Sequence, residues 1–598
     1  MSRQRMVLAG AVALALVVAG VSGAQAAPAP APGTAPNFGP NVLVFDPSMP
    51  TADIQSAVDA IAAEQVDNEM GEARYSLLFA PGTYGTAEEP LVFQVGYYTE
   101  VAGLGASPED VTINGHVDVY NRCLTADNCI ALTNFWRSIS NLTINVTGGE
   151  GCRSSANFWA ASQAAPMRRV KVNGPLSLMD YCTAGPQYAS GGFIADSVTN
   201  DVTNGSQQQY LVRNSSIGTW SNGVWNQVFS GVNGAPAQSF PTPPYTTLAT
   251  TPLTREKPYL YLDDKGKYRV FVPKAEKNTS GTTWQDGTEA GSSLAISKFF
   301  VAKPSDSVRT INRALDKGLN LILTPGVYEI SEPIRVDRKN TVVLGLGLAT
   351  LTANRGTVAV KVGNVEGVIL AGLTIDAGAK NSKVLLQVGS NHGRDRSSAK
   401  NPTTLSDVFF RIGGPHIGKA DVSLVVNSDN VLLDHLWVWR ADHGEGWGWT
   451  VNTTKNGVVV NGDDVTATGL FVEHFHQYNT VWNGERGRVI FYQNELPYDA
   501  PNQAAWKHGS TLGWAAYKVG DKVKKHELWG GGAYIYTNVD PTIHATRGFE
   551  VPVRPGVKLH SLLTVNLGAG TIDHVVNDTG DPVSNANTGS PSYVVSFN

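Results

Sequence analysis

Two glutamates have a spacing that could support acid catalysis. Glu473 in FVEHF and Glu495 in QNELPYD lie 22 residues apart, close to one coil of a β-helix. At equivalent positions of neighbouring coils they would stack about 4.8 Å apart along the axis. Two carboxylates this close cannot both ionise easily, so the pKa of one rises. A glutamic acid raised in this way can act as a general acid near neutral pH.

The same proximity limits what the pair can do. The acid and base of an inverting glycosidase stand about 6.5–9.5 Å apart, because a water must fit between them. We therefore expect one glutamate to be the acid and the other to tune or orient it. The alternative interpretation is two ordinary solvated glutamates on an outer face, and the spacing alone does not decide between the two.

The segment around this pair, residues 437–499, is rich in carboxylates and aromatic side chains. Pyranose rings stack on flat aromatic faces, and carboxylates recognise hydroxyls, so the composition is typical of a sugar-binding cleft. Core positions are the alternative for each tryptophan. We expect at least one exposed sugar platform among Trp437, Trp439, Trp447 and Trp449.

Other polar residues of this segment have simpler explanations. Asp463 and Asp464 resemble a catalytic aspartate pair, but they stand in NGDD, where Asn, Gly and Asp favour a turn at the start of a strand. Glu485, in NGERG, is expected in a solvated turn. No metal site or cofactor is expected, since the nearby histidines lack metal-ligand spacing: His435, His474 and His476.

An internal repeat indicates which elements position these residues. Residues 53–84 and 306–328 each contain a short amphipathic helix, then an apolar strand, then PG-x-Y. The two tyrosines of PG-x-Y, Tyr84 and Tyr328, are 244 residues apart. The two halves of the chain therefore begin with the same supersecondary units.

A ladder of short alternating strands follows each start, and it is typical of a β-solenoid in which every coil adds one strand. A pair of β-sandwiches is the alternative, but NG and DG hairpin signals are too infrequent. We predict an all-β protein of two tandem right-handed parallel β-helices packed side by side. The predicted strands are 111–114, 138–146, 167–174, 211–218, 358–362, 367–377, 404–414, 430–439, 464–475 and 488–495.

The predicted domains follow from this ladder. The N-terminal β-helix covers 38–230, and the C-terminal β-helix, which carries Glu495, covers 298–598. Between them, 231–297 is a Pro/Thr-rich connector containing one hairpin at 259–273. So many aromatic and apolar residues indicate that the connector packs across both β-helices and is not a free linker.

The N-terminus has the organisation of a secretory signal peptide. Residues 1–27 combine a basic start, an apolar run at 8–21 and a small-x-small cleavage site at 24–26. Residues 28–37 are a Pro/Ala-rich leader. We expect a secreted, extracellular protein without a membrane span.

Charge and cysteine content narrow the function classes. Charged residues make up 16% of the chain and the net charge is −5, so neither nucleic acid nor a polyanionic substrate is favoured. A neutral ligand fits better.

Four cysteines suit an oxidising compartment and allow three pairings. We expect Cys123–Cys129 and Cys152–Cys182, because each pair closes a loop inside one half.

Several long motifs resemble glycoside hydrolase family 55, the exo-β-1,3-glucanases of bacteria and fungi. They occur in family order, and the resemblance extends from about residue 38 to the C-terminus. It implies pectate-lyase-like tandem β-helices with a cleft between them, and metal-free inverting release of glucose from laminarin-type β-1,3-glucan. We expect a monomer. The motifs are SQAAPMRRVKVNG (162–174), ASGGFIADS (189–197), PTTLSDVFFRIGG (402–414) and VNGDDVTATGLFVEHFHQYNTVWNGERGRVIFYQNELPYD (460–499).

The resemblance also implies roles for individual residues. Glu495 would be the general acid, with Glu473 beside it in the catalytic network. Gln163 and Ser190, from the first half, would hold the attacking water, in place of the second carboxylate that inverting enzymes ordinarily use. The glucose subsite would be lined by Trp439, Asp442 and Tyr498.

One segment departs from the family pattern. YCTAGPQY (181–188), with its partner Cys152, is a local insertion near the water-binding side, where it would reshape the rim beside Ser190.

Two other functions remain open. A polysaccharide lyase on the same fold would need Ca²⁺ ligands and a basic groove. A non-catalytic β-glucan-binding protein would bind the polysaccharide without turnover, since the fold alone does not fix function.

Overall fold

The computed structural model describes residues 36–287, 289–390 and 395–598. The predicted signal peptide, and the predicted leader up to residue 35, lie outside the described residues. Parallel strands dominate both halves of the chain, which confirms the predicted all-β class and the tandem β-helices. Parallel crossovers of this kind are right-handed almost without exception.

The N-terminal β-helix begins with the α-helix Thr51–Gln65, and its long sheet is parallel throughout. In spatial order this sheet contains Val42–Phe45, Tyr75–Phe79, Thr99–Gly103, Arg137–Val146, Met167–Asn173, Ala189–Ala195, Gln207–Arg213, Asn226–Ser230 and Tyr245–Leu248. Further strands of this half are Gly82–Tyr84, Leu91–Gln94, Val111–Asp118, Arg122–Thr125, Asn128–Ile130, Asn157–Phe158, Leu176–Ser177, Val198–Thr203 and Ser216–Ser221.

An antiparallel segment joins the halves. The predicted hairpin at 259–273 is confirmed: Tyr259–Leu262 pairs with Tyr268–Pro273. Gly291–Ala295 extends this small sheet, and Thr251–Thr254 pairs separately with Glu276–Thr279. The 3₁₀ helices are Pro108–Asp110, Gly151–Ser155, Ile296–Lys298 and Asn585–Asn587.

The C-terminal β-helix begins with the α-helix Val308–Asp316, whose N-cap Ser307 accepts a hydrogen bond from the amide of Thr310. One sheet contains Phe299–Ala302, Asn320–Leu323, Val342–Ala353, Ile369–Ala377, Thr403–Ile412, Val431–Arg440, Thr466–Glu473, Gly487–Glu495, His526–Tyr536, Val557–Ala569 and the antiparallel Ser592–Phe597, with Val327–Ile330 beside it. The other contains Ile334–Val336, Val360–Val362, Ser382–Val388, Ala420–Val426, Thr454–Val460, Thr480–Trp482, Tyr517–Val519, His544–Glu550 and Thr571–Val576. A short hairpin pairs Lys507–His508 with Thr511–Leu512.

The long strands of this half bend at one residue each. Asp407, His435, Gly469 and Phe491 have positive φ angles of 50°, 61°, 70° and 70° at equivalent places in four successive coils. The pairing register passes over this position and resumes on its far side. The left-handed conformation is costly for residues other than glycine, so the stacked coils must impose it.

Alternation along these strands fills two cores at once. In Val431–Arg440, Leu436 and Val438 belong to the core of the C-terminal β-helix. Trp437 and Trp439 belong to a separate cluster that also contains Trp136 of the N-terminal half. Both faces of the strand are therefore buried, because one faces the other β-helix.

Buried ion pairs also join the two halves. Arg168 donates to Asp407 and to Asp434, and Arg213 donates to both oxygens of Asp434 and to Glu256. Charges taken out of water are tolerated only when they are paired in this way. The network ties strands of one β-helix to strands of the other and so fixes the cleft between them.

Two disulfides lie in the N-terminal half, Cys123–Cys129 and Cys152–Cys182, as predicted. The Cys129 amide donates to the carbonyl of Gly185, so the segment 181–188 packs against the first disulfide hairpin, just before Ser190. Among the helices of the described ranges, none is long and apolar enough to cross a membrane.

Candidate active site

Glu473 and Glu495 stand in neighbouring coils. Phe471 pairs with Gln493 two residues earlier on each strand, and the amide of His474 donates to the carbonyl of Glu495 at 2.7 Å. The predicted stacking of the 22-residue pair is therefore confirmed. The alternative of two solvated glutamates is wrong, since the cleft between the β-helices encloses both side chains.

Glu473 is the inner member of the pair and is only 2% exposed. Its Oε1 accepts from Nε2 of Gln163 at 2.9 Å, and its Oε2 accepts from Nε1 of Trp437 at 2.7 Å. Burial, and then the charge of Glu495, raises the pKa of Glu473 well above the ordinary value, although these two donors oppose the shift. Both oxygens face donors, which is the environment of an ionised carboxylate.

A hydrogen-bonded relay reaches Glu473 from the N-terminal half. Oγ of Ser190 donates to Oε1 of Gln163 at 2.5 Å, and Nε2 of Gln163 donates to Glu473. The amide of Ser190 donates to Oγ of Ser162, and its carbonyl accepts from Gln493 at 2.7 Å. These contacts fix the orientation of the Gln163 amide, with oxygen towards the serine and nitrogen towards the glutamate.

Glu495 is the outer member, with a side chain 12% exposed. Its Oε2 accepts a short hydrogen bond from the hydroxyl of Tyr498, and Nε2 of His474 lies 3.6 Å away. Burial raises the pKa of Glu495, while His474 and Tyr498 act against the rise. The side chain is thus a partly accessible carboxyl group with an increased tendency to hold a proton.

Asp442 lies beside the pair, directly after the strand Val431–Arg440. Its Oδ1 accepts from Nε1 of Trp439 at 3.3 Å and lies 4.0 Å from Nε2 of His474. Burial opposes ionisation of Asp442, but the neighbouring His474 and His443 hold its pKa below the ordinary value. Asp442 is therefore a charged acceptor at the cleft surface.

The structure brings the seven expected site residues together at this cleft. Trp439, however, is only 1% exposed, so its ring face is not open to a sugar. It packs on Trp437 and meets the site through its indole edge. Of the four tryptophans, Trp437 and Trp439 are core, Trp449 is half-buried, and Trp447 is 43% exposed.

Asp463 and Asp464 lie in a turn, as the NGDD pattern predicts. Asp464 has a φ of 56°, and both carboxylates pair with Arg486. Glu485 accepts from the amides of Lys524 and Lys525 in the same stack of turns. These carboxylates stabilise the corners of successive coils.

Two residues near the site carry no signal in the sequence motifs. The spacing of His474 indicates only that it is no metal ligand, yet its side chain contacts Glu495. Its place next to Glu473 in the sequence is the one feature that could have indicated this contact. Glu69 reaches the cleft from the N-terminal half and meets His443 at 2.6 Å. Their separation of 374 residues leaves no sequence signal. Within the described ranges, no group of three or more His, Cys, Asp and Glu is arranged to hold a metal ion.

A carboxylate pair in a cleft between two parallel β-helices is the arrangement expected of a carbohydrate-active β-helix protein. The family model described as LAM55 pectate lyase-like domain matches residues 299–495. The Exo-beta-1,3-glucanase of Streptomyces sp. (strain SirexAA-E / ActE) is 54% identical over 563 residues, which are 94% of this chain and 90% of that protein.

Solved structures agree with this match. SacteLam55A from Streptomyces sp. SirexAA-E superposes with a TM-score of 0.89 at 53% identity, covering 94% of this chain and 100% of that one. Its glutamate-to-alanine variant in complex with glucose gives 0.88 at 52% identity, covering 94% and 99%. The chain belongs to the laminarinase-type family, glycoside hydrolase family 55, which confirms the resemblance of its motifs.

Proposed function

We propose that the protein is a secreted exo-β-1,3-glucanase that releases glucose from laminarin-type β-1,3-glucan with inversion of configuration. Family membership supports the substrate and the exo action, because the curated relative is named an exo-β-1,3-glucanase. The observation that carries the mechanism is the relay from Ser190 through Gln163 to Glu473, which ends beside Glu495 in the cleft.

Glu495 is the general acid in this proposal. Its raised pKa favours the protonated form, and its partial exposure lets it reach a bound sugar. The proton passes to the glycosidic oxygen as the bond to C1 breaks. Tyr498 holds the carboxyl group in place through Oε2.

The relay activates the water on the opposite side of C1. As water attacks, its proton moves to Oγ of Ser190, the hydroxyl proton of Ser190 moves to Oε1 of Gln163, and a proton of Nε2 moves to Glu473. Gln163 is then the imidic acid tautomer, and it returns to the amide when the protons move back along the relay. The raised pKa of Glu473 makes it a stronger base than an ordinary carboxylate. The pair holds one proton throughout. Gln163 and Trp437 donate to the two oxygens of Glu473, so the proton is on Glu495 before the reaction and on Glu473 after it.

The glucose subsite follows from the same geometry. Asp442 is an ionised acceptor for sugar hydroxyls, and Tyr498 lies next to the acid. Trp439 acts through Asp442, to which its indole donates at 3.3 Å. A variant of the relative SacteLam55A has been solved in complex with glucose, which supports a carbohydrate substrate for this chain as well.

Secretion and the monomeric state are part of the proposal. The sequence of residues 1–27 supports export, and the two disulfides suit an oxidising compartment. Size-exclusion chromatography with light scattering of the exported protein tests the monomer.

The test of function is glucose release from laminarin by the wild type, Glu495→Gln and Glu527→Gln. Glu527 is an exposed glutamate in the coil that follows Glu495, so it controls for the loss of one charge. We expect the wild type and Glu527→Gln to release glucose equally. Loss of the acid should reduce kcat by about 10²–10⁴. A wild type without activity on laminarin would contradict the proposal.

A further inference from the structure

One imidazole joins the two β-helices at the cleft. His443 Nδ1 lies 2.9 Å from Oδ1 of Asp442, in the C-terminal half. Its Nε2 lies 2.6 Å from Oε1 of Glu69, which follows the helix Thr51–Gln65 in the N-terminal half. We call Glu69, His443 and Asp442 the clasp.

Both ends of the clasp are anchored. The carbonyl of Glu69 accepts from the hydroxyl of Tyr98 at 2.5 Å, and Tyr98 is buried against Trp136 in the interface between the halves. At the other end, Asp442 accepts from the buried indole of Trp439. The clasp therefore has a defined geometry although its members lie near the surface.

The hydrogen bonding indicates a positively charged His443. Both ring nitrogens face carboxylate oxygens, and only the imidazolium has two donors. Burial lowers the pKa of His443, but the contacts with Asp442 and Glu69 outweigh it and raise the pKa to about 10. Such charge-assisted hydrogen bonds are stronger than neutral ones.

The side chains of the clasp remain accessible. Asp442, Glu69 and His443 are 21%, 23% and 36% exposed, in contrast to the enclosed Glu473. The two hydrogen bonds of His443 link these side chains into a bridge from one β-helix to the other, and we call this bridge the wall. A sugar bound to Asp442 would meet this wall.

We propose that the Glu69–His443–Asp442 clasp closes the cleft beyond the glucose subsite and so makes the enzyme act from the end of a glucan chain. The inference rests on the proposed function and names the residues behind its exo action. Glu69 and His443 are positioning residues, because they hold Asp442 in place and block the glucan chain from extending beyond the terminal glucose. Asp442 itself accepts hydrogen bonds from the hydroxyls of the terminal glucose.

The test uses a glucan whose chain ends are blocked. Periodate cleaves vicinal diols, which the terminal glucose of a β-1,3-glucan has and its internal residues lack. Laminarin treated with periodate and then borohydride is therefore a substrate for internal cleavage only. The variants are Glu69→Ala, Glu69→Gln and the control Glu72→Ala, which removes an exposed glutamate from the same segment.

On intact laminarin we expect Glu69→Ala to raise KM about ten-fold, as for loss of one charge-assisted contact, with a smaller change in kcat. On end-blocked laminarin the wild type and Glu72→Ala should be inactive, while Glu69→Ala should release oligosaccharides. Glu69→Gln keeps an acceptor for His443, so it should restore most of the wild-type KM and remain inactive on blocked chains.

Two results would overturn the inference, and they differ in what else they overturn. If the wild type releases glucose from laminarin but Glu69→Ala matches Glu72→Ala on both substrates, the clasp does not set the mode of action, and the proposed function stands. If the wild type cleaves end-blocked laminarin, both the exo action and the clasp's role in it are wrong.

Discussion

The relay is tested most sharply by Gln163→Ala. This change removes the acceptor for Ser190 and one of the two donors to Glu473, while Glu495 keeps its contacts. Water would then attack without base assistance, which contributes about 10²–10⁴ to the rate. We expect kcat to fall by that factor with little change in KM. Each buried partner left unpaired should also cost about 1–3 kcal/mol of stability.

The assay pairs turnover of laminarin oligosaccharides with rescue by azide. Azide is already an anion and needs no deprotonation, so it can replace the water that the relay no longer activates. Attack from the side of the water would give α-glucosyl azide, and the rate of Gln163→Ala should rise with azide concentration. Gln285→Ala, at an exposed position away from the cleft, is the control for loss of a glutamine side chain.

Two results would refute the relay. One is a kcat for Gln163→Ala within about three-fold of the Gln285→Ala value, since base assistance is worth far more. The other is a large loss of kcat that azide does not reverse in a variant that is folded by circular dichroism.

Three further predictions concern the acid and the interface. Glu495→Gln should lose about 10²–10⁴ in kcat on laminarin but far less on 2,4-dinitrophenyl β-glucoside, whose leaving group needs no proton; equal losses would argue against its role as acid. Burial raises the pKa of Glu495, so kcat/KM should decline as pH rises through a pKa above the ordinary glutamate value of about 4.3, and an alkaline limb unchanged in Glu495→Gln would contradict this. Asp434→Ala removes the buried carboxylate that accepts from both Arg168 and Arg213 and should destabilise the fold by about 3–5 kcal/mol in denaturant titration, where a change below about 1 kcal/mol would show that the network contributes little.

The coil spacing was the most informative part of the sequence. The 22 residues between Glu473 and Glu495 predicted their stacking, because one coil of a parallel β-helix advances the chain by one strand. Alternating apolar residues likewise located the strands of the C-terminal half within a few positions; for example, the prediction 404–414 corresponds to Thr403–Ile412. Both signals are periodic and local, so a single sequence carries them.

Contacts between the halves could not be predicted in the same way. Glu69 meets His443 across 374 residues, and Arg168 meets Asp407 across 239, with no periodic signal. The burial of Trp439 was equally hidden, because its strand packs against a second β-helix on the face that would otherwise be open to solvent. The positive φ of Phe491, inside its strand, also opposes the intrinsic backbone preference of phenylalanine, and the stacking of the coils imposes it.

The most direct test of the central claim is the configuration of the first product. Proton NMR of laminarin digestion by the wild type, recorded before mutarotation, distinguishes α- from β-glucose. Attack by a water held by Gln163 and Ser190, opposite the acid Glu495, predicts α-glucose as the initial product. Initial β-glucose, or a mixture of oligosaccharides without glucose, would contradict the account.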